Sequence, residues 1–312
     1  MNNSSVKEFL LLGFPELFSV QIALFYAFFV SYVLTLAGNV LIIVATSFST
    51  ALRTPMYFFL RNLSFLEILY TSVTIPKMLS NFLNNTTSIS FVACAVQAYF
   101  FVGLGSTECS LLAVMAYDRY VAVCNPLHYL TLMDPPTCGA LVFTCWITGF
   151  MNSTVHTVGI FQLNFCVSNI IHQFFCDFQP LLSLACNKQI TELVLFIVGG
   201  AYGVGSCALI LMSYKQIISA IVKIKSKEGQ KKAFSTCASH LTVVSLFYGT
   251  SLCTYYRPSS VNVTDQEKLT PVVYAVITPM LNPLIYTLRN KEFKMALSKI
   301  IQTKLANNRI FK

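Results

Sequence analysis

Seven long stretches of this chain carry almost no charge, and nothing else limits its possible folds as severely. They run roughly over residues 21–48, 57–76, 91–117, 139–160, 193–214, 237–256 and 269–288. Each approaches the roughly 20 residues that a helix needs to cross about 30 Å of hydrocarbon. Continuous apolar runs of this length predict membrane helices. A membrane β-barrel would alternate over segments of roughly ten residues, and no such pattern is present. Only 11% of the 312 residues are charged, against about 25% in a soluble domain. The expected fold is an all-α membrane protein: a seven-transmembrane helix bundle over residues 21–289, followed by a short amphipathic eighth helix.

Lys and Arg fix the expected orientation. With the N-terminus outside, only Lys7, Lys77, Lys188, Arg257 and Lys268 of the 21 basic residues fall on the outer side. The net charge of +9 is therefore a topology signal and not the footprint of a nucleic-acid-binding chain. Residues 1–20 are expected to be a short extracellular, glycosylated N-terminus. It offers no basic n-region before an apolar core, so no cleaved signal peptide is expected. Asn3-Ser4-Ser5 is the acceptor triplet on that side; Asn62-Leu63-Ser64 matches the pattern on the inner side, where no glycan is transferred. Residues 290–312 are read as a cytoplasmic amphipathic helix and tail. Phe293, Leu297 and Ile300 share one face, with Lys291, Lys294 and Lys299 directed at membrane lipid.

Polar groups inside the spans mark candidate function, because charge at membrane depth is expensive. Asp118 and Arg119 stand at the inner exit of span three, in the run Met115 to Tyr129, MAYDRYVAVCNPLHY. Cys94 starts the same span 24 residues earlier, about 36 Å away at roughly 1.5 Å per residue. Cys94, Cys166, Cys176 and Cys186 lie outside or at the outer boundary, where pairing is expected; four cysteines allow three connectivities. The other seven cysteines read as small buried hydrophobes. Glu67 and Glu108 lie within spans two and three. They could share a sodium ion or a proton, or serve as polar glue toward Asn39 or Asn282. Asn282-Pro283 interrupts span seven and is a candidate hinge. His240 in span six is either a satisfied polar contact or a switch contact. Gly199, Gly200, Gly203 and Gly205 on span five allow close packing or leave cavity volume.

No catalytic constellation or phosphate-cradling loop is present, so an enzyme is not expected. His172 and Cys176 stand four residues apart, but two ligands do not make a metal site.

The chain resembles a rhodopsin-type (class A) G-protein-coupled receptor, specifically an odorant receptor, over nearly its whole length. The resemblance rests on Gly38-Asn39, Pro55 to Leu60 (PMYFFL), Met115 to Tyr120 (MAYDRY), Ser213-Tyr214, Lys232 to Leu241 (KAFSTCASHL) and Pro279 to Tyr286 (PMLNPLIY). It implies bridges Cys94–Cys176 and Cys166–Cys186. It implies an Asp118–Arg119–Tyr120 lock that opens to admit a G protein, with Tyr214, His240, Asn282, Pro283 and Tyr286 as switch residues. Coupling to the stimulatory olfactory G protein and cyclic AMP is implied as well. The chain departs from the family in carrying Glu67 where Asp is usual. Tyr248 replaces the tryptophan of many other class A receptors, as the odorant branch does.

Such a receptor would take its ligand in the outer half of the bundle. Phe101, Gly105 and Cys109 share one face of span three, flanked by Val102 and Ser106. Phe178, Tyr202, Tyr248, Ser251, Leu252, Tyr255 and Ala275 complete the candidate wall. It is apolar and aromatic, with no acid in the outer half of span three to hold an amine. A small, neutral, volatile ligand with one hydrogen-bonding group is expected. A transporter or channel using Glu67 and Glu108 as a relay is the alternative class, but no repeated half-sequence supports it.

Overall fold

The computed structural model describes residues 6–13, 18–84, 87–255, 271–288 and 293–299. Six long helices come first: α1 Phe18–Phe48, α2 Pro55–Asn84, α3 Phe91–Cys124, α4 Pro135–Phe161, α5 Gln189–Lys223 and α6 Lys227–Tyr255. A π-helical turn, Val273–Ile277, leads into α7, Thr278–Leu288. A short α8 follows over 293–299. Local chemistry marks the starts. Pro55 and Pro135 open their helices, where a missing N–H costs little. Ser90 caps α3 by accepting from the Ala93 N–H, and Asp134 caps α4 by accepting from the Thr137 N–H at 3.0 Å. Those Thr137 bonds hold the exposed Asp134 carboxyl below its usual range.

Several helices outrun the charge-free stretches. The basic segment from Lys215 to Lys232, which lies between two of those stretches, is mostly helix, and only residues 224–226 separate α5 from α6. Absence of charge marks the membrane crossing; a helix that has left the membrane can continue in water with its backbone bonds intact. Proline also fails to end helices here. Pro76 lies inside α2 and Pro283 inside α7.

Helix α3 is the hub. It packs against α2, α4, α5 and α6, and 61% of its apolar window is buried, against 22% for α1 and 17% for α5. Large side chains such as Phe48, Phe196 and Leu211 are more than 60% exposed, which suits lipid as the surrounding medium. Lipid tails are as apolar as the side chains, so packing and interhelical hydrogen bonds hold the bundle. Gln97 donates to Val73 O and accepts from Cys176 N, both at 2.9 Å. Ser153 donates to Tyr99 O at 2.6 Å, and Asn152 to Ser106 Oγ at 2.9 Å.

The end of the bundle expected to face outward, called the outer end below, is capped by a three-stranded sheet. Its central strand β1, Glu8–Leu11, pairs antiparallel with β2, Ser88–Ser90, and parallel with β3, Ile170–Ile171. Phe9 and Leu11 are buried, and Phe9 stacks on Phe91 at 6.0 Å. Part of the segment expected as a plain polar N-terminus is thus a structural strand. Cys94 bonds Cys176 and Cys166 bonds Cys186, with Cα–Cα separations of 5.6 and 5.9 Å. The acceptor Asn3 lies outside the described residues. At the inner end, Phe293 of α8 is buried in the core while Lys294 and Lys299 are exposed; Ile300 lies outside the described residues.

Helices α3 and α4 approach closely at Gly149. A Cβ added at Gly149 would stand 2.7 Å from the Thr107 nitrogen and 2.9 Å from its Cα, and backbone cannot step aside. Gly149→Ala should lower stability by about 1–3 kcal/mol, as overpacking does. Gly203→Ala, with nothing within 4 Å, should not. Thermal melts of the two variants in detergent check this, and equal melting temperatures would contradict it.

Candidate functional site

Asp118 and Arg119 are both buried at the inner end of α3. Arg119 Nε donates to Asp118 Oδ2 at 2.9 Å, and Nη2 reaches the same oxygen. The other carboxylate oxygen accepts from the Tyr129 hydroxyl at 2.7 Å. Tyr129 starts the single helical turn Tyr129–Leu132, which follows the 3-10 turn Pro126–His128. Burial and the Asp118 charge push its phenol up, so it keeps its proton and donates. Sequence reasoning missed this third member. The signal available was Asn125-Pro126, which ends α3 and folds the chain back toward it. Tyr120 is half-buried against the inner core.

His240 ties three helices together. Its Nε2 lies 3.1 Å from the Leu112 carbonyl, which can only accept, so that nitrogen carries a proton. Its Nδ1 then accepts from the Tyr214 hydroxyl at 2.7 Å, and the two rings stack at 5.8 Å. A neutral imidazole satisfies both contacts and holds α6 against α3 and α5. Pro283 packs on Gly38, where a Cβ would meet Pro283 Cβ at 2.9 Å. The Tyr286 hydroxyl is buried with no hydrogen-bond partner among the described residues.

Between these ends sits a polar cluster. Asn282 Nδ2 donates to Glu67 Oε1, and Glu108 stands close to Glu67. Asn39 Nδ2 donates to Thr35 O at 3.0 Å and is also in hydrogen-bond contact with Glu67. Three buried acceptors, Asn39 Oδ1, Glu108 Oε1 and Asn282 Oδ1, have no partner among the described residues. The Asn282 bond is the polar glue weighed from sequence. The unpaired oxygens are the donor set that a hard cation or an added proton would satisfy.

The outer candidates separate into three groups. Ser106, Cys109, Tyr202 and Tyr248 meet around Ser206 of α5. Tyr248 donates to Ser206 Oγ at 2.8 Å, and Cys109 is in hydrogen-bond contact with both. Tyr202 reaches Ser110 Oγ, Thr148 Oγ1 at 3.2 Å and Ser106 O at 3.2 Å. Phe101 lies elsewhere, stacked on Tyr70 at 5.0 Å and tilted against Phe175 at 4.7 Å, with Gly105 beside Tyr70 and Ala275 fully buried in the π turn. Val102 packs between this group and the outer cap. Phe178, on the loop helix Phe178–Leu184, stacks on His156 of α4 at 5.4 Å and 5°. Ser251 is half-buried, Leu252 is 52% exposed and so outside the packed interior, and the Tyr255 side chain lies outside the description.

Sequence reasoning missed the α4 contribution. Asn152 bonds Ser106 and keeps a buried, unpaired Oδ1. His156 fills the space that Gly199 leaves open, since a Cβ there would stand 2.9 Å from its Nε2. The available signal was two polar residues four apart within one span, on one face of the helix.

The Tyr214–His240 bond has a direct test. A double-mutant cycle of Tyr214→Phe and His240→Phe, read by thermal stability, should give a coupling of about 1 kcal/mol. Additive losses would show that the contact contributes nothing.

Known proteins resemble this chain in sequence and in fold. The family profile described as "Olfactory receptor" matches residues 28–304. Olfactory receptor 1G1 of Gorilla gorilla gorilla is 49% identical over 301 residues, covering 96% of each chain. Olfactory receptor 1C1 of Homo sapiens is 45% identical over 301 residues, again covering 96% of both. The crystal structure of squid rhodopsin shares the fold, with a TM-score of 0.71 at 18% identity, covering 91% of this chain and 81% of that one. The chain belongs to the olfactory receptor family.

Proposed function

We propose that this receptor sits in the plasma membrane with its N-terminus outside and its C-terminus in the cytoplasm. There it takes a small, neutral, volatile odorant and activates the stimulatory, olfactory-type G protein to raise cyclic AMP. Family membership makes it a small-molecule receptor with a G-protein partner and not an enzyme; the ligand class and the G-protein subtype are our reading. One observation carries the ligand class. The polar node of Ser106, Tyr202, Ser206 and Tyr248, with Asn152 beside it, is bordered by aromatic and aliphatic side chains, and no charged residue takes part in its bonds. A neutral ligand with one hydrogen-bonding group suits it; an amine or a carboxylate would find no counter-charge.

The switch is read in the same way. Tyr129 holds Asp118 on Arg119, and His240 holds α6 over the same end. An odorant activates by preferring the arrangement in which these contacts are released, because a ligand shifts an equilibrium only by its differential affinity. Released from His240, Tyr214 would be free to meet the unpartnered Tyr286 hydroxyl. Glu67, Glu108, Asn39 and Asn282 would hold a sodium ion or a proton in the closed arrangement. Lys294 and Lys299 of α8 would rest on membrane lipid.

A cyclic AMP screen over a chemically diverse odorant panel tests the ligand class. Neutral volatiles should respond, and a set of agonists confined to charged compounds or peptides would overturn it. Arg119→Ala should abolish the response while surface receptor persists; a full response at normal surface level would sink the role given to Arg119.

A further inference from the structure

A cleft of about 530 Å³ opens at the inner end of the bundle, on its outside, between α3 and α5. Val123 and Cys124 line it from α3; Met212, Lys215, Ser219 and Lys223 line it from α5. Lys215, Ser219 and Lys223 repeat every fourth residue and share one stripe of the helix, and all three are exposed. Tyr214 and Ile217, on the opposite side of the same turns, are 5% and 1% exposed. The stripe therefore faces away from Arg119 and from the mouth a G protein would enter. No acidic side chain lines the cleft, and among the described residues neither lysine is in a salt bridge.

The chemistry changes along its length. At one end Met212, with its exposed neighbour Leu211, is an apolar, lipid-facing surface. At the other, Lys223 occupies the last turn of α5, where a cation and anything it carries meet water. From Met212 to Lys223 the helix rises about 16 Å at roughly 1.5 Å per residue. An occupant matched to this gradient is an amphiphile, with its chains on Met212 and its anionic head on the lysines. Lys215 and Lys223 are about 12 Å apart along the axis. That spacing is too wide for one phosphate held directly by both, and it suits a headgroup with phosphates at separate positions.

We propose that this cleft binds a multiply phosphorylated phospholipid headgroup from the cytoplasmic leaflet, bracing the inner ends of α3 and α5 against each other. The proposal rests on the cytoplasmic placement of this end given above, where anionic lipids and juxtamembrane lysines meet. The full chain would be reconstituted in phosphatidylcholine nanodiscs containing a few per cent phosphatidylinositol bisphosphate, and retained lipid measured by native mass spectrometry and by titration with a fluorescent analogue. Lys215→Gln with Lys223→Gln should weaken retention about thirtyfold, the combined effect of two surface cations. Lys225→Gln with Lys227→Gln removes the same charge from exposed positions outside the cleft and should leave retention within about twofold of wild type. Equal losses in both pairs would reduce the effect to general surface charge and overturn the site, as would no retention by the wild type. Binding of soluble inositol trisphosphate as tight as that of the lipid would overturn the lipid assignment. Antibody access to an N-terminal epitope on intact cells tests the orientation separately, so the two failures are told apart.

Discussion

Inside hydrocarbon no water is available to satisfy a stray polar group, and this bundle meets that constraint largely through α3. At the outer end Gln97 accepts from the disulfide-anchored loop and donates to α2. At mid-depth the Ser106 hydroxyl and carbonyl receive Asn152 from α4 and Tyr202 from α5. Further in, the Leu112 carbonyl receives His240 from α6. Each bond is worth only about 0.6–2 kcal/mol in a membrane, but together they position four helices and the loop against one.

That arrangement suggests how two ends can communicate. The node near Ser106 and the closed inner end lie on the same helix and share α5 and α6 as second partners. A ligand that displaced Tyr202 or Tyr248 from its hydroxyl partners would pull on the helices that Tyr214 and His240 hold at the other end. Small shifts become a switch because packed interfaces tend to adopt discrete arrangements. The cluster of Asn39, Glu67, Glu108 and Asn282 lies between the ends, with three acceptors unpaired among the described residues.

Much of the bundle was legible because charge depletion and the membrane thickness are local and one-dimensional. The Asp118–Arg119 pair was legible for the same reason: a charge stands out where few are tolerated. What stayed hidden is non-local. The strand Glu8–Leu11 has only four residues and no pattern of its own until β2 and β3 are brought beside it. Tyr129 reaches Asp118 only because two short turns reverse the chain. The outer candidates do not line one wall: Phe101 is committed to an aromatic stack, while the polar node forms deeper, at Ser106 and Cys109. The ends of α5 and α6 were hidden for a different reason: charge reports the edge of the membrane and not the end of a helix.

The central claim is that the Tyr129 hydroxyl on Asp118 keeps the inner end closed. Basal cyclic AMP of Tyr129→Phe, compared with wild type at matched surface receptor and without odorant, tests it most directly. A hydrogen bond to a charged group contributes about 1.5 kcal/mol or more, so its loss should raise the active fraction, and with it basal signalling, about tenfold. Basal signalling equal to or below wild type would contradict the claim.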